Sequence, residues 1–506
     1  MNFLEKAQSI NIKIFEKEVS PEAVCRICKG EQYHMGYGTE RIKKYDGSDI
    51  VTDKEICYDL GEHFTGYLSF DIKGHNAISD SPVKLKLTFA EIPFGFSYED
   101  SKKEGWLSYS WLQEEYVFID DVPSRVTLPR RYAARYIRIE IVAKNKKMDV
   151  EFSNVCFKAV SSAGFDNVPT VKNEKWKKTE EVCVRTLREC MQSFYEDSPM
   201  RDRRLWLGDL RLHARVNYCT YDDLYLIKKC LYLFAGLTDE YERNHACVYE
   251  KPQPINGETY LYDFALLYMA ALSDYYDHTG DVEAAMELFD IAYKQFEIFY
   301  DIVDDKGLVK KKSGWWCFID WNWDEEDKPK SLPMAAIGAY CLTYAEKLAK
   351  NLSKEKEAAE AQNMRQKLCD YAKSHFYNSK TGLFEEEGIT MWVANIFMIL
   401  SDSLSRDEEI AILDALENSS DAITPVTPYN HHYVLEAYEK TGLFDKMAEY
   451  IDSYWGQMIE NGADTFWEAY DKDDPLFSPY DDCLLNSYCH AFSCTPIYFI
   501  KKYLDR

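Results

Sequence analysis

The sequence predicts a two-domain chain, an N-terminal antiparallel β-sandwich followed by an (α/α)6 six-hairpin barrel, and three observations carry that reading. A chain of 506 residues is too long for one small core, so it divides. Apolar and polar residues alternate through the first third, and from about Asn173 apolar residues recur at helical spacing to the C-terminus. The helical part shows no repeat of fixed period, which favours a closed ring gathering its loops around one pocket over an open solenoid with an extended concave face. The expected boundaries are 1–165 for the sandwich and 166–506 for the barrel.

The strands come first. Val83-Lys-Leu85-Lys-Leu87-Thr-Phe89 and Ile137-Arg-Ile139-Glu-Ile141 place their apolar residues on one face of a strand. Asp46-Gly47, Gly61, Gly74, Pro93-Phe-Gly95 and Pro123 punctuate these runs as turns. Helical spacing follows over 173–195, 282–300, 334–351 and 357–376. Turn signals at Thr279-Gly280-Asp281 and Asn378-Ser-Lys-Thr-Gly382 mark places where one helix ends and the next begins, with no strands expected between them.

A formal net charge of −26 repels nucleic acid and anionic membranes, so a neutral ligand fits better. Aromatic residues make up 15% of the chain, with 38 Tyr and 11 Trp, enough both to fill a large core and to line a sugar cleft. The N-terminus interrupts every apolar run with a charge or amide, and no later stretch is apolar for long enough to span a bilayer. The 15 cysteines, odd in number and scattered through core segments, read as reduced thiols and predict a cytoplasmic protein. Cys25-Arg-Ile-Cys28 has metal-ligand spacing but no companion pair, so no metal is expected there. Oligomeric state is not legible.

Chemistry concentrates in Asp197-Ser-Pro-Met-Arg-Asp-Arg-Arg-Leu-Trp-Leu-Gly-Asp209, where Asp197, Asp202 and Asp209 are interleaved with Arg201, Arg203 and Arg204. The arginines hold some carboxylates ionised while burial pushes another toward its neutral form. Trp206 adds a platform for the C–H face of a sugar. The competing reading is a charged loop whose ion pairs tie two helices together. In Asn461-Gly-Ala-Asp-Thr-Phe-Trp467-Glu468 a carboxylate beside an indole is either a partly desolvated base or an exposed helix-terminal Glu. Gly314-Trp315-Trp316-Cys-Phe-Ile-Asp320-Trp321-Asn-Trp323 offers Asp320 as a hydroxyl acceptor with Trp321 as its stacking neighbour. His490, ahead of the last helical segment, is a neutral donor or a structural histidine. His431-His432 reads as non-metallic, and Asp263 is a weaker carboxylate candidate. Phosphate-loop, dinucleotide and serine-hydrolase motifs do not occur, which leaves chemistry without a cofactor.

These residues resemble the bacterial α-L-rhamnosidases of glycoside hydrolase family 78, the six-hairpin glycosidases. The segment from Asp197 to Asp209 is similar to that family's D-x-P-x-R-D-E-R-x-x-W-x-G-D, and Gly462-Ala-Asp-Thr-Phe-Trp-Glu468 to its G-A-T-T-x-W-E. Phe318-Ile-Asp-Trp321, Thr427-Pro-Tyr429, Cys489-His-Ala-Phe-Ser493, Ala90-Glu-Ile-Pro93 and residues 130–138 add further landmarks. The resemblance implies an inverting, exo-acting enzyme that releases terminal rhamnose from small glycosides or oligosaccharides. It makes Glu468 the base and, counting back from Asp209, Asp202 the acid; counting forward from Asp197 places Arg203 there instead, which cannot donate a proton. Asp197, Arg201, Trp206 and Asp209 then surround the sugar, with Asp320, Trp321, Trp467 and His490 as further contributors. The alternatives are a barrel glycosidase for another sugar and a sugar-binding protein that has lost its acid.

Overall fold

Period-two patterning produces, among the described residues, a sheet of ten strands: β1 (Phe15–Val19), β2 (Ala23–Lys29), β3 (Tyr37–Lys44), β4 (Ser48–Val51), β5 (Glu55–His75), β6 (Val83–Ala90), β7 (Glu114–Ile119), β8 (Ser124–Thr127), β9 (Tyr132–Ala143) and β10 (Asp149–Ser161). This computed structural model describes the chain except residues 53, 99, 100, 102, 166, 167, 169, 313–315, 324, 326 and 506. The strands pair antiparallel in the order β1-β10-β5-β9-β6-β7, with β2 and β8 also on β5, β4 on β10 and β3 on β2. The long β5 shifts register against β9 between Asp59 and Phe64, and such an irregularity lets one strand change partners and wrap two layers over one core. Leu68, Phe70 and Ile72 meet Leu85, Leu87, Ile137, Ile139 and Phe152 in that core.

The helices are α1 (Phe3–Ser9), α2 (Lys177–Cys190), α3 (Leu207–Cys219), α4 (Leu224–Gly236), α5 (Tyr262–Thr279), α6 (Val282–Tyr300), α7 (Ser331–Asn351), α8 (Glu355–His375), α9 (Trp392–Leu400), α10 (Arg406–Glu417), α11 (Pro428–Thr441), α12 (Phe444–Ile451), α13 (Gln457–Glu460) and α14 (Pro496–Phe499). Contacts run from α3 to α5, α7, α9, α11 and α14, and α14 returns to α3. The ring is closed, so the domain is a barrel and not a solenoid. Burial separates the two layers. Every residue of α9 is buried, as a helix inside a ring requires, whereas α8 buries only Ala358, Ala361, Leu368, Cys369 and Ala372, a single stripe.

Loop length polarises the barrel. Each inner helix passes to the next outer helix through a short turn: 220–223, 280–281, 352–354, 401–405 and 442–443. The reverse connections, 191–206, 237–261, 301–330, 376–391, 418–427 and 461–495, are longer and lie at the N-terminal ends of the inner helices. Every candidate site residue of the barrel lies in one of these longer loops or in the first turn that follows it.

Two local expectations change. Asn378–Gly382 does not join two helices; Asn378 and Leu383 pair as a hairpin, one of two small three-stranded sheets within the helical region. Asn378 and Thr381 both bond the Glu385 carboxylate across that turn. The first ten residues form no part of the sheet either. Asn2 and Glu5 close a capping box on α1, and α1 lies on α4 with Ala7 fully buried.

Cys25 and Cys28 lie three apart on β2, so their side chains point to opposite faces and cannot share an ion. All 15 cysteines are free thiols. Among the described residues no helix is long and apolar enough to cross a membrane. The sheet docks on the barrel through polar contacts. Asp464 accepts from the His63 amide at 2.6 Å; Arg185, which bonds Asp464 at 2.6 Å within the barrel, reaches Glu62 of the sheet at 2.9 Å, and Arg131 donates twice to Glu196, at 2.8 and 2.6 Å.

Candidate active site

Arg201 organises the site. Its side chain is only 3% exposed, over the Tyr480 ring at 4.3 Å. One terminal nitrogen reaches Glu468 Oε2 at 2.5 Å and the Tyr480 hydroxyl at 3.0 Å, while the other lies 3.9 Å from Asp202 Oδ1. Glu468 also accepts from the Tyr480 hydroxyl and from the Ser487 amide at 3.1 Å. Every group bonded to this buried carboxylate is a donor.

Asp202 and Arg203 both adopt left-handed backbone, with φ of 56° and 53°. That turn leaves the Asp202 side chain partly exposed, on the wall of a cleft between the two domains. Arg203 is held elsewhere, its Nε donating to the Pro199 carbonyl at 2.7 Å and its Nη2 to the Arg131 carbonyl at 2.9 Å.

Asp197 and Asp209 flank His490 at 3.9 and 3.7 Å, too far for hydrogen bonds. Burial, reinforced by the Asp202 charge, pushes the Asp197 carboxyl well above the usual carboxylate range. Burial and then the Glu468 charge do the same to Asp209. Burial, followed by Arg201, keeps His490 neutral. Asp209 Oδ1, His490 Nδ1 and Arg201 Nε are buried without hydrogen-bond partners. Orphaned polar atoms concentrated at one place are what a hydroxyl-rich ligand would satisfy.

The aromatic candidates divide. Trp206 ends a short strand that pairs with Cys247 and contacts Phe264 edge-on at 6.4 Å. A Cβ on Gly208 would meet the Phe264 ring at 2.7 Å, so glycine there lets that ring approach. Trp321 stays partly exposed and lies edge-on to Tyr480 at 5.4 Å. Trp467 is buried and stacked on His34 of the sheet domain at 5.0 Å. Trp323 is buried with its Nε1 on the Pro329 carbonyl at 2.9 Å; Gly314 and Trp315 lie outside the described residues.

Asp320 is placed differently from the hydroxyl acceptor expected of it. It is fully buried and accepts from the amides of Trp321 at 2.8 Å and Val426 at 3.0 Å. Burial raises its carboxyl to about 6 against those bonds. It ties the 301–330 loop to the 418–427 loop, and Asp263 similarly accepts from the Ile319 amide at 2.9 Å. Tyr480 escaped sequence reasoning, since a tyrosine in an acidic loop carries no motif. The sheet domain covers it: Trp106 packs on its ring at 5.5 Å and bonds the Pro479 carbonyl at 3.0 Å. Among the described residues one group of metal-ligating types converges, His63, Glu91 and Cys489, within 4.8 Å of one another. Both Glu91 oxygens are engaged there, by His63 at 3.0 Å and the Tyr488 amide at 2.7 Å, which joins the domains.

A closed helical barrel with carboxylates, a guanidinium and tryptophans at its loop end fits a glycoside hydrolase, and the family matches establish that class. Residues 21–159 match the glycosyl hydrolase family 78 alpha-rhamnosidase N-terminal domain, and residues 170–504 match the bacterial alpha-L-rhamnosidase 6 hairpin glycosidase domain. The chain belongs to this family of glycosidases. It is similar to a rhamnosidase from Klebsiella oxytoca, solved with rhamnose bound, at 34% identity and a TM-score of 0.94 over 99% of this chain and 98% of that one. A family 78 rhamnosidase of Bacillus sp. GL1 shares the fold at 19% identity and a TM-score of 0.76, covering 93% of this chain and 50% of that one. An alpha-L-rhamnosidase from Streptomyces avermitilis, complexed with L-rhamnose, aligns at 16% identity and a TM-score of 0.65 over 91% and 43% of the two chains. No curated protein sequence matches the chain.

Proposed function

We propose that the chain is an inverting, exo-acting α-L-rhamnosidase with Asp202 as general acid and Glu468 as general base. The carrying observation is that Glu468 bonds one end of the Arg201 guanidinium at 2.5 Å while Asp202 lies 3.9 Å from the other. Facing opposite ends of one guanidinium, their nearest oxygens lie within about 9 Å, a bound that admits both the roughly 6.5–9.5 Å of an inverting pair and the roughly 5–5.5 Å of a retaining one; inversion rests on the family resemblance. Asp202, at the cleft wall, protonates the departing glycosidic oxygen; Glu468 takes a proton from the water that attacks the opposite face of the sugar. Asp197, Asp209, Arg201 and His490 bind hydroxyls of a terminal rhamnose, and Trp206 and Trp321 cover its C–H face. The anchoring of Arg203 on two carbonyls supports Asp202 over Arg203 in the acid position. Free thiols throughout the chain support a reducing, cytoplasmic setting.

Hydrolysis of an aryl α-L-rhamnoside tests this. Asp202→Asn and Glu468→Gln are each expected to lower kcat by about 10²–10⁴-fold, and NMR of early product should show the anomer opposite to the substrate. A neutral effect of either substitution removes that residue from catalysis, and a retained anomer overturns the inverting arrangement.

A further inference from the structure

Resting on that reading, we infer that the interdomain cleft behind Asp202 is the leaving-group subsite and that it takes a sugar. The cleft has a volume of about 460 Å³, within the roughly 300–1,000 Å³ of small-molecule sites. Asp202 is part of its wall, whereas Glu468, Tyr480, Asp209, His490 and Trp321 are not. The proton donor therefore stands at the boundary between this cleft and the buried cluster of Glu468, Asp209 and His490. The glycosidic oxygen has to be at that boundary, because it accepts the Asp202 proton as its bond to the anomeric carbon breaks and the leaving group departs as a neutral alcohol.

The lining specifies the kind of alcohol. Tyr67 of the sheet domain and Tyr249 of the barrel both contribute partly exposed rings. Around them the charged groups already have partners: Arg131 with Glu196, Glu16 with Lys158 at 3.0 Å, and Glu250 with Lys229 and Ser193, each at 2.5 Å. Lys251 stands exposed to solvent. Paired in this way, the wall offers no strong net field to select a charged ligand, yet its carboxylates keep spare lone pairs for hydroxyl donors. Of the apolar members, Val160 and Phe194 are buried and Ile14 alone is exposed, so the cleft presents one aliphatic side chain and not the paired aliphatic faces that would grip a flat aromatic group. Acceptors beside two phenol rings suit a pyranose.

The test compares kcat/KM for an α-L-rhamnosyl disaccharide with that for an aryl α-L-rhamnoside, in wild type, Tyr67→Ala and Tyr249→Ala. Each variant should lower the disaccharide-to-aryl ratio by about tenfold, the loss of one stacking ring. The two tyrosines belong to different domains, so a folding defect in one variant leaves the other as the test. An unchanged ratio in a folded variant, or a ratio that rises, overturns the subsite. Failure of the wild type to hydrolyse either rhamnoside overturns instead the rhamnosidase reading on which the subsite rests.

Discussion

Two adjacent left-handed residues are the clearest mark of function at the scale of single side chains. An ordinary L residue adopts that backbone at a cost of about 1–2 kcal/mol, aspartate at less, and Arg203 is held there by its bonds to the Pro199 and Arg131 carbonyls. The turn delivers Asp202 to the cleft. Asp209 stores a second kind of strain. Its raised folded-state pKa means the native protein binds more protons than the unfolded chain at pH values above the unfolded carboxyl's range. Stability is thus lost as pH rises from about 4 toward the folded value. Asp209→Asn is expected to flatten this pH dependence, leave Tm at pH 7 unchanged or higher, and still reduce rhamnoside hydrolysis. Thermal melts across pH 4–8 beside the activity assay check it, and a lower Tm with full activity would remove Asp209 from the site. Sequence reading singled out Asp202, Asp209 and Glu468 as candidates because charges crowded near indoles are visible in the chain. It missed Tyr480, whose importance comes wholly from contacts with Glu468 and Arg201.

Among elements, the inner helices are clamped by a buried ionic network that no motif announced. Arg211 and Arg215 of α3 meet Asp274 of α5 and Glu436 of α11, and His432 adds a bond to Glu436 at 3.0 Å. Tyr340 of α7 donates to Glu436 at 2.6 Å. Burial alone would raise the Glu436 carboxyl, but Arg211 and Arg215 hold it well below its usual value. This stabilisation is present at neutral pH and lost as the pH falls below about 4. Breaking one partner leaves a buried guanidinium uncompensated, so Glu436→Gln should cost about 3–5 kcal/mol. Denaturant unfolding at pH 7 measures it, and a loss below about 1 kcal/mol would show that the network does not clamp the ring. The place of His432 in this network was not legible from the His431-His432 pair. Helix neighbours four apart are visible in sequence, whereas the partners supplied by α3 and α5 come from the closure of the ring.

For the whole molecule, the sheet domain completes the site by covering Tyr480 and by forming one side of the cleft. Asp464 is central to this docking, an aspartate where the family pattern has threonine. Asp464→Ala removes the acceptor for the His63 amide and Arg185, and hydrogen bonds to a charged group contribute about 1.5–3 kcal/mol each. Calorimetry should show a lower-melting, less cooperative transition as the domains uncouple; an unchanged single transition would place their coupling elsewhere. By itself the sequence determined the order of domains and singled out the candidate carboxylates, because side-chain period and local charge are properties of neighbouring residues. Tertiary structure alone decided which of those acids gather in the candidate site and which tie loops together. Glu468 meets Arg201 across 267 positions while Asp320 turns onto backbone amides, and a choice between such partners depends on distances that exist only once the barrel has closed.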